Sequence, residues 1–177
     1  MIVTEKVSEE TLAEAHLTIG KAALAMDSIA LAQTEFELTS KNSPTSESGA
    51  EAKYNLAYIN FLLKDYTASE KIIFEIINQI PSYDYWIAKS FILLSDVYII
   101  NGNKMQAKAT LQSIIDNYDG ADLITLAHEK LNVILLSEKA EELKINEATI
   151  QKEAENNTAI DPLNNDKNKL EEENINE

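Results

Sequence analysis

The chain has no cysteine and no arginine, and it contains four glycines, three prolines and one tryptophan among its 177 residues. Without cysteine, thiol catalysis, disulfides and cysteine-ligated zinc are excluded, while the redox compartment stays open. All 15 basic residues are lysine and they stand against 30 acidic ones, for a formal net charge of -15. With that charge and no guanidinium for bidentate phosphate contacts, nucleic acid and anionic membrane surfaces are not expected partners. The glycines form neither a phosphate loop nor a dinucleotide fingerprint. No run of 18 apolar residues exists, so membrane insertion is not expected, and Met1 to Glu10 lacks the apolar run of a signal peptide. If the protein is exported, this chain is a mature form or a piece of something longer.

What the chain does contain is one pattern three times over. A large apolar residue precedes a small one; a second small residue follows 12 positions on, a large apolar residue 4 after that, and a loop residue 8 later. The three instances are Ile19-Gly20, Ala32, Phe36, Pro44; Leu56-Ala57, Ser69, Ile73, Pro81; and Leu94-Ser95, Ala107, Leu111, Asp119. Paired small residues let two helices approach closely, the large residue fills the space between units, and proline follows a helix end. The pattern resembles the tetratricopeptide repeat (TPR), here with units of 37 and 38 residues in place of the usual ~34. The resemblance implies an all-α fold, a right-handed α-solenoid of three TPR-like helix pairs plus a C-terminal capping helix.

The expected repeats cover about 9–44, 49–81 and 83–119, with the capping helix at about 121–144. Ser8, with Glu9 and Glu10 behind it, reads as the first N-cap. Leu12, Ala15, Ile19, Ala22 or Ala23, and Met26 then mark one apolar face. Ser28 and Asn103 are expected to cap second helices, and Ser48 with Glu51 reads as a capping box. The second helix of the middle unit is apolar at Tyr66, Ser69, Ile73, Ile76 and Ile80. Tyr83, Tyr85 and Trp86 read as a staple between units two and three. A thin heptad through Leu136, Ala140, Leu143 and Ile150 extends the last helix. Residues 146–177 hold 9 acidic residues, 3 basic ones, 8 asparagines and no aromatic, too little apolar surface to offset ordering entropy. The expected division is therefore a helical-repeat domain over 1–145 and an acidic, disordered tail over 146–177.

Patterns that could carry catalysis fall short. His128-Glu129-Lys130-Leu131-Asn132 lacks the second histidine of a helical zinc site. Around Asn117-Tyr118-Asp119-Gly120, the first and last ligand positions of a calcium loop are Ile115 and Leu126, so a helix-ending turn is the better reading. His16 lies in a helical run with no triad spacing around it and reads as a half-buried surface histidine. No enzyme activity, catalytic residue, metal or cofactor is expected.

In the family resembled, the first helix of each unit lines a concave groove. Carried over, the ligand-facing positions also include Glu14 and Glu51, and the peptide- or protein-binding positions among them are Leu17, Lys21 and Leu24; Tyr54, Tyr58, Phe61 and Leu62; and Lys89, Ile92, Asp96 and Ile99. The implied function is a non-catalytic scaffold that binds a protein or peptide in an apolar groove. The alternative is a structural or self-assembly module whose groove is filled by another copy, making a homo-oligomer, or by further repeats of a longer chain. Lys21 and Lys89 are the sole cations at the positions a carboxylate clamp would use. The segment from Ser82 to Gly120 also resembles the C-terminal repeats of large TPR proteins of Gram-negative bacterial envelopes. That implies a bacterial periplasm or envelope if the chain is part of a longer protein, and the cytoplasm otherwise.

Overall fold

A computed structural model describes residues 7–159, and these form seven α-helices with no strand. They are α1 (Glu9–Ala25), α2 (Ile29–Asn42), α3 (Glu47–Leu62), α4 (Tyr66–Ile77), α5 (Asp84–Ile100), α6 (Lys104–Asn117) and α7 (Ala121–Ala159). Helices one to six pack as three antiparallel pairs, with α2 and α4 each also touching the first helix of the next pair. The first helices α1, α3 and α5 touch in succession, whereas no contact joins α2 to α4 or α4 to α6. The first-helix side is thus the shorter, concave one.

All nine inner marks of the repeated pattern are buried: Gly20, Ala32, Phe36, Ala57, Ser69, Ile73, Ser95, Ala107 and Leu111. Gly20 has a steric reason. A Cβ there would stand 2.7 Å from Cε1 of Phe36, so the missing methyl is the space the ring occupies. Ser69 takes the place that alanine takes at 32 and 107, and its buried hydroxyl has no hydrogen-bond partner. An unpaired buried hydroxyl costs ~1–3 kcal/mol. Ser69→Ala is therefore expected to raise stability by about 1 kcal/mol in urea unfolding; a loss would mean that the hydroxyl is satisfied.

The turn inside each pair is also a repeat. Asp27, Lys64 and Gly102 have φ of 57°, 64° and 77° and lie 37 and 38 residues apart, the same spacings as the side-chain pattern. In each turn the following amide closes a long bond back into the first helix: Ser28 N to Ala23 O (2.8 Å), Asp65 N to Asn60 O (2.9 Å), and Asn103 N to Tyr98 O (2.8 Å). The amide of the left-handed residue itself donates to Leu24, Phe61 or Ile99. These are Schellman ends, which satisfy the last carbonyls of each first helix. The geometry recurs even though only one of the three residues is glycine.

Several expected boundaries move. The cap of α3 is Ser46, whose Oγ accepts from Gly49 N, and not Ser48; Glu51 is turned to other use. Ser8 and Asp65 cap with their side chains, whereas Ser28 and Asn103 hold the N-cap position without a side-chain bond. Helix α4 stops at Ile77, leaving Ile80 exposed before Pro81. On α1 the buried face is Ala13, Leu17, Gly20 and Ala23; of the expected stripe, Leu12, Ala15, Ile19, Ala22 and Met26 are exposed. The counterparts of Ala15, Ile19 and Ala22 in α3 and α5 are buried, because there the preceding pair's second helix lies against them.

By compactness the chain divides between Leu131 and Asn132. In the first unit, the start of α7 buries Leu123 and Ala127, the role of a cap. The second unit opens as a continuation of the same helix, which carries on through 146–159 where the composition was expected to begin a disordered tail. The side chains from Lys139 to Asn156 are all exposed. The remainder of the expected tail, 160–177, lies outside the described residues.

Candidate functional site

The candidate binding positions fall into three sets. Leu17 and Ile92 are buried and offer little surface, which corrects their assignment to the groove. Leu17 belongs to the cluster of Phe36, Ala52, Leu56 and Ile59 that joins the first two pairs. Ile92 lies one turn before Asp96, on the side of α5 that meets Lys130 of α7. Leu24 is half-buried against the same cluster as Leu17.

The charged positions are consumed by bridges between successive helices of the concave side. Lys21 Nζ of α1 pairs with Glu51 of α3 at 2.7 Å. Asp96 of α5 pairs with Lys130 of α7 at 2.6 Å. Lys89 of α5 lies over three rings, with its Nζ 4.8 Å from the centroid of Tyr54, 5.1 Å from Trp86 and 5.5 Å from Tyr85. A cation over ring faces is attracted by their quadrupoles. The two lysines that a carboxylate clamp would need thus already have in-chain partners.

Trp86 and Lys130 are the residues the sequence reading did not place at this site. For Trp86 a signal was present: Lys89 follows Tyr85 by four residues and Trp86 by three, one helical turn in each case. The reading of this segment as a staple agrees with the geometry. Trp86 is buried with Ala50 and Ile76, its ring 5.6 Å from Tyr54 across the α3–α5 junction, and Tyr83 donates to Thr45 O at 3.1 Å. Nothing local marks Lys130, which lies 34 residues from Asp96.

Burial pushes the Tyr54 phenol up to about 12, with smaller contributions from Tyr58, Tyr85 and Asp96. A phenol whose folded value is raised contributes stability below its unfolded value near 10, and that stability is lost as pH rises through the folded value. Between about pH 9 and about pH 11.5 the native protein should lose about 2 kcal/mol from this group. Tyr54→Phe should lose correspondingly less in paired urea titrations at the two pH values; equal losses would refute the assignment.

The apolar positions make up the surface. Tyr58 and Phe61 are half-buried, their inner edges against Ala57, Ile73, Leu93 and Leu94, and Phe61 also meets Tyr66 edge-on at 5.6 Å. Leu62 and Ile99 are 46% and 37% exposed. The C-terminal ends of α3 and α5 therefore present an apolar strip, while toward their middles and N-termini Glu51 and Asp96 are ion-paired and Lys89 lies over aromatic rings. A separate cleft of about 100 Å³, lined by Ile87, Phe91, Ile114 and Tyr118, lies between α5 and α6; ligand pockets are usually ~300–1,000 Å³. Among the described residues no group of three His, Asp or Glu is placed to hold a metal, and His128 is an exposed side chain of α7. His16 is half-buried with Nδ1 2.6 Å from Glu35.

These features define an all-α helical-repeat protein with a TPR-like, α-solenoid fold. The fold is similar to that of the N-terminal domain of stress-induced protein-1 (STI-1) from C. elegans, with a TM-score of 0.54 and 15% sequence identity over 70% of this chain and 98% of that one. At such identity the likeness concerns the fold alone. No protein family and no curated protein sequence matches the chain.

Proposed function

We propose that this chain is a non-catalytic interaction scaffold that receives an apolar peptide or protein segment along its concave side, with Leu62, Ile99, Tyr58 and Phe61 as the contact residues. The observation that carries this reading is the separation of roles along α3 and α5. Charged positions are tied up in bridges between helices, while large apolar side chains next to them stay in water at an ordinary energetic cost of ~25 cal/mol per Å². An acidic chain without arginine also suits a protein partner better than a polyanion. No described helix is long and apolar enough to cross a membrane.

The test is selection from a displayed peptide library. Apolar or aromatic peptides should be enriched, and Leu62→Glu with Ile99→Glu should weaken the best of them by about 2 kcal/mol or more, the size of an interface anchor. Lys71→Glu on α4 should change nothing. Equal binding by the two variants would remove the concave strip from consideration.

A further inference from the structure

The outer face of α1 differs from every other helix face in the repeat array. Counterparts of Ala15, Ile19 and Ala22 are Ala52, Leu56 and Ile59 in α3 and Ser90, Leu94 and Val97 in α5. All six counterparts are buried, against α2 and α4 respectively. On α1 the three are exposed, Ile19 by 46%. At 100° per residue, the sector around them takes in Ser8, Thr11, Leu12, Thr18, Ala25 and Met26 as well. Every residue in it is exposed and none is charged, although a quarter of the chain is. Its hydroxyls are already bonded: Thr18 Oγ1 donates to Glu14 O at 2.9 Å, and Thr11 and Ser8 join at 2.8 Å. Covering this face would strand no polar group.

The pattern on the face also indicates what covers it. Large residues at 12, 19 and 26 alternate with small ones at 8, 15 and 22. In an antiparallel pairing of two α1 helices about a two-fold axis, Leu12 of one protomer meets Ala22 of its partner. Ile19 meets Ala15 and Met26 meets Ser8 in the same way, so each large side chain faces a small one. The adjacent row sets Thr11 against Ala25 and Thr18 against Thr18, all small enough for close helix approach. A face complementary to itself under a two-fold is what an isologous dimer requires. We infer that this protein forms a homodimer through the outer face of α1, a second copy covering the surface that α2 and α4 cover within the array.

Sedimentation equilibrium of the full chain tests this. A reversible monomer–dimer equilibrium is expected, and it should tighten with added salt because two acidic chains repel each other less when screened. Ile19→Glu should lower the association constant at least about 30-fold, the loss of one central anchor, with unchanged circular dichroism because the side chain is exposed in the monomer. Ala22→Glu should do the same and decides the matter should Ile19→Glu unfold. Leu62→Glu on α3 and Leu143→Glu on α7 should leave association intact. A strictly monomeric chain, a dimer that survives both α1 variants, or one dissolved by Leu143→Glu or Leu62→Glu would overturn the proposal.

Discussion

Phe36→Ala should lower the unfolding free energy by about 3–5 kcal/mol, the range for a fully enclosed aromatic. Phe36 has no exposed surface and belongs to the cluster that joins α1 and α2 to α3. Its ring fills the place a side chain at Gly20 would need. Truncation leaves a cavity between two repeats, and in a quasi-linear array the loss falls on the interface as well as on the unit. Phe61→Ala, which removes a half-buried ring, should cost less than half as much. Urea unfolding of the two variants checks both values; equal losses would make Phe61 a core residue and withdraw it from the binding surface.

Overpacking the small marks should be the next largest effect. Gly20→Leu adds four carbons where the first alone would stand 2.7 Å from the Phe36 ring, so about 3 kcal/mol is expected, at the upper end of the overpacking range. Ala107→Leu, at the fully buried equivalent of Ala32 on α6, should cost about 1–3 kcal/mol. Leu at exposed Lys71 should fall within about 0.5 kcal/mol of the parent. Thermal melts of the three variants are enough to check this: indistinguishable midpoints would mean that the repeat register is wrong.

That register was legible because it rests on sterics that act locally and recur. Small residues at fixed spacing are required wherever two helices cross closely, so Gly20, Ala57 and Ser95 could be aligned without knowing any contact. The left-handed turns at Asp27 and Lys64 were less legible, since neither residue has glycine's conformational freedom and the Schellman bonds are made by backbone. Which apolar face of α1 is buried could not be read from periodicity. Leu12, Ile19 and Met26 form as good a stripe as Ala13, Leu17, Gly20 and Ala23, and the choice depends on which neighbours exist. Leu17 and Ile92 were misplaced for the same reason: helical spacing names a face, while burial depends on what lies across from it. The Lys21–Glu51 and Asp96–Lys130 bridges join helices distant in sequence, and opposite charges 30 or more residues apart carry no local signal.

Binding on the first-helix side of the array can be tested with a chemical handle the chain leaves free. Because it has no cysteine, Leu62→Cys, Ile99→Cys or Lys71→Cys each introduces a single thiol at an exposed position. The rate of alkylation is then measured with and without a bound peptide from the selection. Alkylation at 62 and 99 should slow in the presence of peptide while that at 71 stays unchanged; protection at 71 with 62 and 99 unaffected would place the binding surface elsewhere.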